Sequence, residues 1–361
     1  MMSHEPPKLR FNSFKRQSSM IDPTDPEKKI VRELEIRRDP LLEHGVTIAP
    51  HLTDKVLFGE TDQDLLHELV ESSKQNCFMC PENVEQSTPC YPDSPMLPGG
   101  RIKFEEAFLF PNLFPLSKYH AVVRMTKDHY VSLRNQTTEI WSNSILASLQ
   151  FIKWVNSIDP KSQLFTINSN FLPPAGASAV HPHLQILGGH KEDCALVDRL
   201  WKRSTQYYET NNQCYWLDLV SEEKQRKDRY LWDNNVDWLV PFAPLGINEV
   251  IGIFPMVRSF LELTETDVQS VAEGIKRVLH FYDQEGFSTY NLTIYSGPLS
   301  PPVKWFRCFV RIVSRQNVVK NYRNDIFFLQ KLLGTEVLPI SPEAVALKLR
   351  EHNKHQKHDS I

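Results

Sequence analysis

The sequence predicts an α+β fold, with antiparallel sheets, packed helices and two similar halves in one chain. Three observations carry that expectation. The order strand, strand, helix, strand, strand reads between residues 104 and 189 and again between residues 237 and 314. The helix in the middle of each order has apolar residues at helical spacing: Ile140, Trp141, Ile145, Leu146, Leu149 and Ile152 in the first, and the segment 264–282 in the second. With 41% hydrophobic residues in 361, the chain has apolar material for a substantial core. The residues of the two halves are only faintly alike.

In chain order, residues 1–28 are rich in Pro, Ser and Lys and lack the apolar segment of a secretory signal. They read as a disordered tail with a cytoplasmic address. Residues 29–223 form the expected N-terminal half. It opens on Glu35 to Leu41 and a strand near 44–50, then passes through a proline-rich loop at 77–100. Residues 104–114, 119–125 and 165–170 read as strands, and 137–158 and 194–223 as helices. Residues 224–350 form the second half, with strands at 237–244, 249–254, 290–296 and 305–314. Its helix opens on Thr264 with Asp267 three positions on, a capping box. Residues 351–361, with His352, His355 and His358, read as a polar, solvated tail. Trp201, Trp216, Trp232, Trp238 and Trp305 read as core or interface bulk.

The net charge of −3 gives no polycationic footprint for nucleic acid. There is no run of 18 apolar residues to span a membrane. The six cysteines comprise a Cys77-x-x-Cys80 pair and four scattered residues. That suits a metal-ligand pair in a reducing compartment better than a disulfide framework.

The chemistry concentrates at His181-Pro182-His183-Leu184-Gln185, which reads as an extended strand running into Gly188-Gly189. On a strand, alternate residues share a face about 7 Å apart, so His181, His183 and Gln185 line up together. A neutral imidazole can attack phosphorus and split one transfer into two easier steps, which makes His183 the candidate nucleophile. Gln185 can hydrogen-bond phosphoryl oxygens without contributing a proton. Upstream, Gly176 allows close approach of backbone and Ser178 offers a hydroxyl. Cys77 and Cys80 can face one ion, and zinc accepts two thiolates and two imidazoles, with His129 and His181 as candidates. Spacing alone leaves open two alternatives, small buried cysteines and a thiol redox pair.

The segment Gly176-x-Ser178-x-x-His181-Pro182-His183-x-Gln185 resembles the active-site signature of the galactose-1-phosphate uridylyltransferase family, a branch of the histidine-triad superfamily. Arg38-x-Pro40-Leu41, Cys77-x-x-Cys80, Phe110 to Pro115, Trp238 to Pro244, Asn291 to Gly297 and Phe327 to Arg350 resemble further segments, so that the resemblance covers most of residues 35–350. It implies two histidine-triad-like halves and one structural zinc on Cys77, Cys80, His129 and His181. It implies that His183 becomes nucleotidylated and that Gln185, Ser178 and Asn170 contact phosphate. Phe110, Asn112 and Phe114 match the pocket for base and ribose. The activity implied is movement of a nucleoside monophosphate, UMP in the first instance, from a nucleotide sugar to a sugar 1-phosphate, by a cytoplasmic homodimer. Rival readings are a phosphorylase of ADP-sugars or dinucleoside tetraphosphates, and a catalytically silent nucleotide-binding protein.

The chain also departs from the family. Gln185 stands where hydrolases of the superfamily carry a third His, which favours transfer. Leu113 replaces an Asp, and two basic positions fall at Leu52 and Lys55. Arg307-Cys308-Phe309 replaces the second-half His-x-His, which removes the family's second metal site. The acidic and glutamine positions expected to contact hexose fall at Gln330 and Glu336, exchanged in type.

Overall fold

A computed structural model describes residues 9–53, 60–321 and 324–358, the last four by backbone alone. Residues 1–8 of the expected tail, Lys55 and residues 359–361 lie outside the described residues. In chain order the strands are β1 (Ser13–Asp22), β2 (Asp25–Arg38), β3 (Gly45–Ile48), β4 (Ile102–Phe104), β5 (Ala107–Pro111), β6 (Tyr119–Arg124), β7 (Leu164–Phe171) and β8 (His183–Gly189). The second half adds β9 (Tyr230–Asp233), β10 (Asp237–Leu239), β11 (Val250–Ile253), β12 (Tyr290–Tyr295), β13 (Phe309–Ser314) and β14 (Thr335–Leu338). The helices are α1 (Gln63–Lys74), α2 (Val84–Ser87), α3 (Thr138–Ile158), α4 (Ala195–Asn211), α5 (Tyr215–Arg226), α6 (Glu265–Gln284), α7 (Phe328–Leu333) and α8 (Pro342–His358).

Among the described residues one sheet has ten strands in the order β4-β5-β6-β8-β7-β12-β13-β11-β10-β9. Read from either edge inward, the two halves have the same order, with β9-β10-β11-β13-β12 repeating β4-β5-β6-β8-β7. They meet at the antiparallel β7–β12 ladder, where Asn168 faces Thr293 and Asn170 faces Asn291. The expected duplication is therefore a duplication of topology. A smaller sheet, β1-β2-β3-β14, is closed by a parallel β3–β14 pair.

Helices α3 and α6 hold equivalent places in the two halves and pack on one face of the large sheet. Each begins on a threonine cap: Thr137 accepts from Ile140 N–H, and Thr264 and Asp267 cap each other reciprocally. Trp141, Ile145, Ile152, Val268, Ile275 and Leu279 are buried there. The opposite face is covered only in part. Helices α4 and α5 lay Leu200, Trp216 and Leu219 over Leu239, Ile251, Ile253 and Phe309. Trp216 stacks on Phe309 at 4.1 Å. Beside this cluster Arg311 pairs with Glu249 at 2.8 Å, both buried. We expect Glu249→Ala to cost about 3–5 kcal/mol, because it strands the Arg311 charge. Urea unfolding of the variant beside wild type measures the difference.

Three expectations are corrected. Residues 13–28, read as tail, belong to the β1–β2 hairpin. Its register places Phe14, Met20, Ile30, Leu34 and Ile36 on one face, a pattern masked in sequence by the charges between them. The turn is held by Asp22, whose carboxylate accepts from the N–H and hydroxyl of Thr24 at 2.9 and 2.7 Å. The single helix expected over 194–223 is two, because Asn212 takes a left-handed conformation (φ 52°) and closes α4. The polar C-terminal tail continues α8 as far as His358, since no Gly or Pro follows Arg350 to stop it. No helix among the described residues is long and apolar enough to cross a membrane.

Candidate active site and metal centre

The part of the sheet face left open by α4 and α5 carries polar residues. His183 opens β8, opposite Arg124 of β6, and Gln185 stands opposite Val122. His183 is buried, and its Nδ1–H donates to the His181 carbonyl at 2.8 Å. That bond fixes the tautomer and leaves the lone pair on Nε2. Burial also lowers the His183 pKa, which keeps the ring neutral. Gln185 Oε1 lies 2.9 Å from Nε2 of His120. Next on the same face, Asn168 donates to the Gln185 carbonyl at 3.1 Å and accepts from Thr293 at 2.9 Å. Asn170 accepts from Asn291 at 2.8 Å.

Cys77, Cys80, His129 and His181 come together as a buried group whose ligand atoms all lie within 4.8 Å of one another. His181 Nδ1 is 3.5 Å from Cys77 Sγ and 3.8 Å from Cys80 Sγ, and His129 Nδ1 is 3.5 Å from Cys80 Sγ. The outer nitrogens are engaged. His181 Nε2–H donates to the Thr126 carbonyl at 2.9 Å. His129 Nε2–H donates at 3.0 Å to Ser73 Oγ, which itself donates to the Val70 carbonyl. Both Nδ1 lone pairs therefore point inward, as a metal requires. Burial, with Cys77 adding to it, pushes the Cys80 thiol up to about 12, and burial lowers His181 to about 4. Two buried sulfurs and two neutral imidazoles form a donor set that fits a tetrahedral ion.

The remaining expected residues divide between two places. Phe110 is buried on β5 with Phe108, Val122 and Met79, and Phe78 meets its ring edge-on at 6.3 Å. Asn112 follows, its Oδ1 accepting the Phe114 N–H at 2.8 Å, while the Phe114 ring is 78% exposed. Gly176 has φ of 90° at the end of a short turn, and a side chain there would meet nothing within 4 Å. Ser178 is exposed in the loop before His181. Gln330 and Glu336 lie apart from His183, in a cavity of about 510 Å³ lined also by Asn291, Arg315, Asp325 and Phe327. There Gln330 Nε2 donates to Glu336 at 2.7 Å. Burial pushes the Glu336 carboxyl up to about 7. Asn291 joins the two places, since it bonds Asn170 on one side and Arg315 on the other.

No protein-family model matches the chain. An uncharacterized protein of Archaeoglobus fulgidus is 29% identical over 320 residues, which is 88% of this chain and 92% of that protein. Among solved structures the fold is similar to an ADP-glucose phosphorylase from Arabidopsis thaliana with bound ADP-glucose (TM-score 0.67, 17% identity, 88% of this chain and 98% of that one). It is similar to a GalT-like protein from the same plant (TM-score 0.65, 18% identity, 88% and 98%). It is also similar to a uridylyltransferase mutant (TM-score 0.64, 17% identity, 89% and 98%). The chain has the galactose-1-phosphate uridylyltransferase fold.

Within that fold Arg307 is a staple. Its Nε donates to the Pro255 carbonyl at 2.7 Å and its Nη1 to the carbonyls of Lys304 and Phe306. Cys308 beside it is fully buried. Two polar residues on this face escaped the sequence reading. His120 and Arg124 are polar residues in an otherwise apolar strand, and that contrast was their signal. Which face they share, and with whom, depends on the β6–β8 register.

Proposed function

We propose that the protein is a nucleotidyltransferase, moving a nucleoside monophosphate from a nucleotide sugar to a sugar 1-phosphate through a nucleotidyl group on His183. The observation that carries this reading is the His183 Nδ1–His181 carbonyl bond, which presents Nε2 as a lone pair. Nε2 attacks the α-phosphorus. The N–P bond forms as the P–O bond to the sugar phosphate breaks, and the electron pair leaves on that phosphate. The ring proton stays on Nδ1, held by the carbonyl. In the second step an acceptor phosphate oxygen attacks, and the pair returns to Nε2. Phosphate esters ionise a second time near pH 6, so neither leaving group nor acceptor needs a proton moved at pH 7. Water attacking the same intermediate must lose one. An amide at Gln185 therefore serves transfer, whereas hydrolysis needs a proton relay.

Zinc is the ion proposed for the Cys77, Cys80, His129 and His181 cluster. Bonds of about 2.3 Å to sulfur and about 2.0 Å to nitrogen at the tetrahedral angle give a sulfur–nitrogen edge of about 3.5 Å. Three of the four such edges, at 3.5, 3.5 and 3.8 Å, support that fit. Four protein ligands leave no position for substrate, so the role is structural: the ion ties the Cys77–Cys80 loop to the segment that delivers His183. The homodimer belongs to the same proposal. Exposed Leu113, Phe114 and Leu116 beside the site, and Leu332 and Leu333 on α7, support it.

Phosphorolysis, with inorganic phosphate as acceptor, is the second reading. Gln330 and Glu336 bond each other, which leaves fewer groups for sugar hydroxyls. Mass measurement of the protein after incubation with UDP- and ADP-sugars tests the common step and names the nucleotide. An unmodified protein with every donor would refute the proposal. Release of the adduct by inorganic phosphate against sugar 1-phosphates then separates the two readings.

Gln185→His is expected to move the enzyme from transfer toward hydrolysis. A correctly placed imidazole relays the proton of attacking water, an effect worth roughly 100- to 10,000-fold. The acceptor-free decay of the isolated intermediate, in variant and wild type, is the measurement. Equal decay from a normally formed intermediate would show that Gln185 is not what protects it.

A further inference from the structure

The two ends of the Gln185 amide are not equivalent toward a phosphoryl oxygen. Its Nε2 donates to that oxygen, while its Oε1 repels it. The terminal amide torsion is broad and roughly two-fold, so an unrestrained Gln185 would sample both arrangements. His120 selects one. Its Nδ1 accepts the Leu116 N–H at 3.1 Å, so the neutral ring carries its proton on Nε2. Burial keeps that ring neutral. Nε2–H lies 2.9 Å from Gln185 Oε1 and occupies it, which leaves the amide NH2 as the free end.

The register explains why His120 can reach. Val122 stands opposite Gln185 and His120 opposite Leu187, so His120 and Gln185 are diagonal neighbours on the face that bears His183. Leu116 lies in the connection between β5 and β6 that begins with Asn112; Asn112 Nδ2, 3.2 Å from His120 Nε2, is a donor beside a donor in this tautomer and adds no hydrogen bond there.

We infer that His120 is a positioning residue, which relays the backbone conformation of the Asn112–Leu116 loop to the Gln185 amide and so turns its donor end toward the transferring phosphoryl group. The inference rests on the reading of His183 as nucleophile. A loop displaced from its place withdraws the Leu116 N–H, frees the His120 tautomer and releases the amide. Occupancy of the nucleotide loop and orientation of the catalytic amide are thereby one event.

The test uses the full chain with UDP-glucose, or ADP-glucose where that is the donor that labels His183. Single-turnover adduct formation is followed for His120→Phe, His120→Gln, Gln185→Ala and the double variant His120→Phe/Gln185→Ala. Loss of the donor in Gln185→Ala is expected to cost roughly 100- to 1,000-fold, as for other oxyanion donors. His120→Phe is expected to slow the step about tenfold with little change in KM, since the donor is present but unpinned. His120→Gln restores an N–H donor and recovers most of the rate. In the Gln185→Ala background His120→Phe has no further effect. Additive losses, or a full rate in His120→Phe, would overturn the relay. Imidazole nitrogen NMR supplies a readout free of activity. The His120 proton is expected on Nε2, with that signal shifted by Gln185→Ala. A proton on Nδ1 would overturn the relay whether or not the protein forms an adduct, whereas absence of an adduct in wild type speaks only against the nucleophile.

Discussion

His183→Ala abolishes adduct formation and transfer, with a loss on the order of a millionfold, the scale seen when a covalent nucleophile is removed. Neither His181 nor His120 is free to substitute. His181 presents its Nδ1 to the cysteine sulfurs and gives its Nε2 proton to Thr126, and His120 is held between Leu116 and Gln185. The fold should survive, because the β8 ladder is made by backbone and the substitution removes one side chain at the first residue of the strand. The measurement is mass analysis for the nucleotidyl adduct, together with metal content and a melting curve. Normal turnover in a variant free of wild-type enzyme would end the assignment.

Cys77→Ser or Cys80→Ser is expected to remove the metal and to lower the melting temperature. In metal-dependent domains the binding free energy is folding free energy. Here the large core of α3 and α6 stands without the ion, so the loss falls on the loop around Cys77–Cys80 and on the approach to His183. A chelator should reproduce the shift in wild type and leave the variants unmoved. Activity should fall with the metal, because His183 is delivered by the segment that starts at His181. A protein that purifies without metal, or variants that keep a full equivalent, would refute the site.

Much of the fold was legible because its elements carry a single period. The helices α3 and α6 show it over five turns, with caps at Thr137 and Thr264, and the strands between them are short apolar runs. The β1–β2 hairpin was not legible, because its apolar residues sit on a ribbon that is charged on the other face and has little core to mark it. The break at Asn212 was hidden because asparagine is only one of several residues that end helices by a left-handed turn. At the site, His183 and Gln185 were readable since strand alternation alone puts them on one face. The cysteine pair was half a site on its own. His129 and His181 were candidates for the other half, the resemblance matched both to ligand positions, and the structure brings the four together. His120 was out of reach, for its significance is a diagonal across β6 and β8 and no local pattern contains it. Gln330 and Glu336 share a cavity with Asn291, which bonds Asn170 on the neighbouring strand, and no local pattern in the sequence announces that link.

The repeated strand order has a consequence for the history and capacity of the chain. A duplicated fold begins with two equivalent clefts, and β13 is the counterpart of β8. Where β8 opens on His183, β13 opens on Phe309, stacked under Trp216 and followed by an Arg311 committed to Glu249. Helices α4 and α5 have closed that second cleft over an apolar filling. The two halves thus differ in what covers the matching strands: polar residues around His183 in one, packed rings and aliphatics in the other. On the proposed reading the chain therefore has room for one nucleotidyl group, in the half that bears His183, because at the matching place the other half presents the packed ring of Phe309.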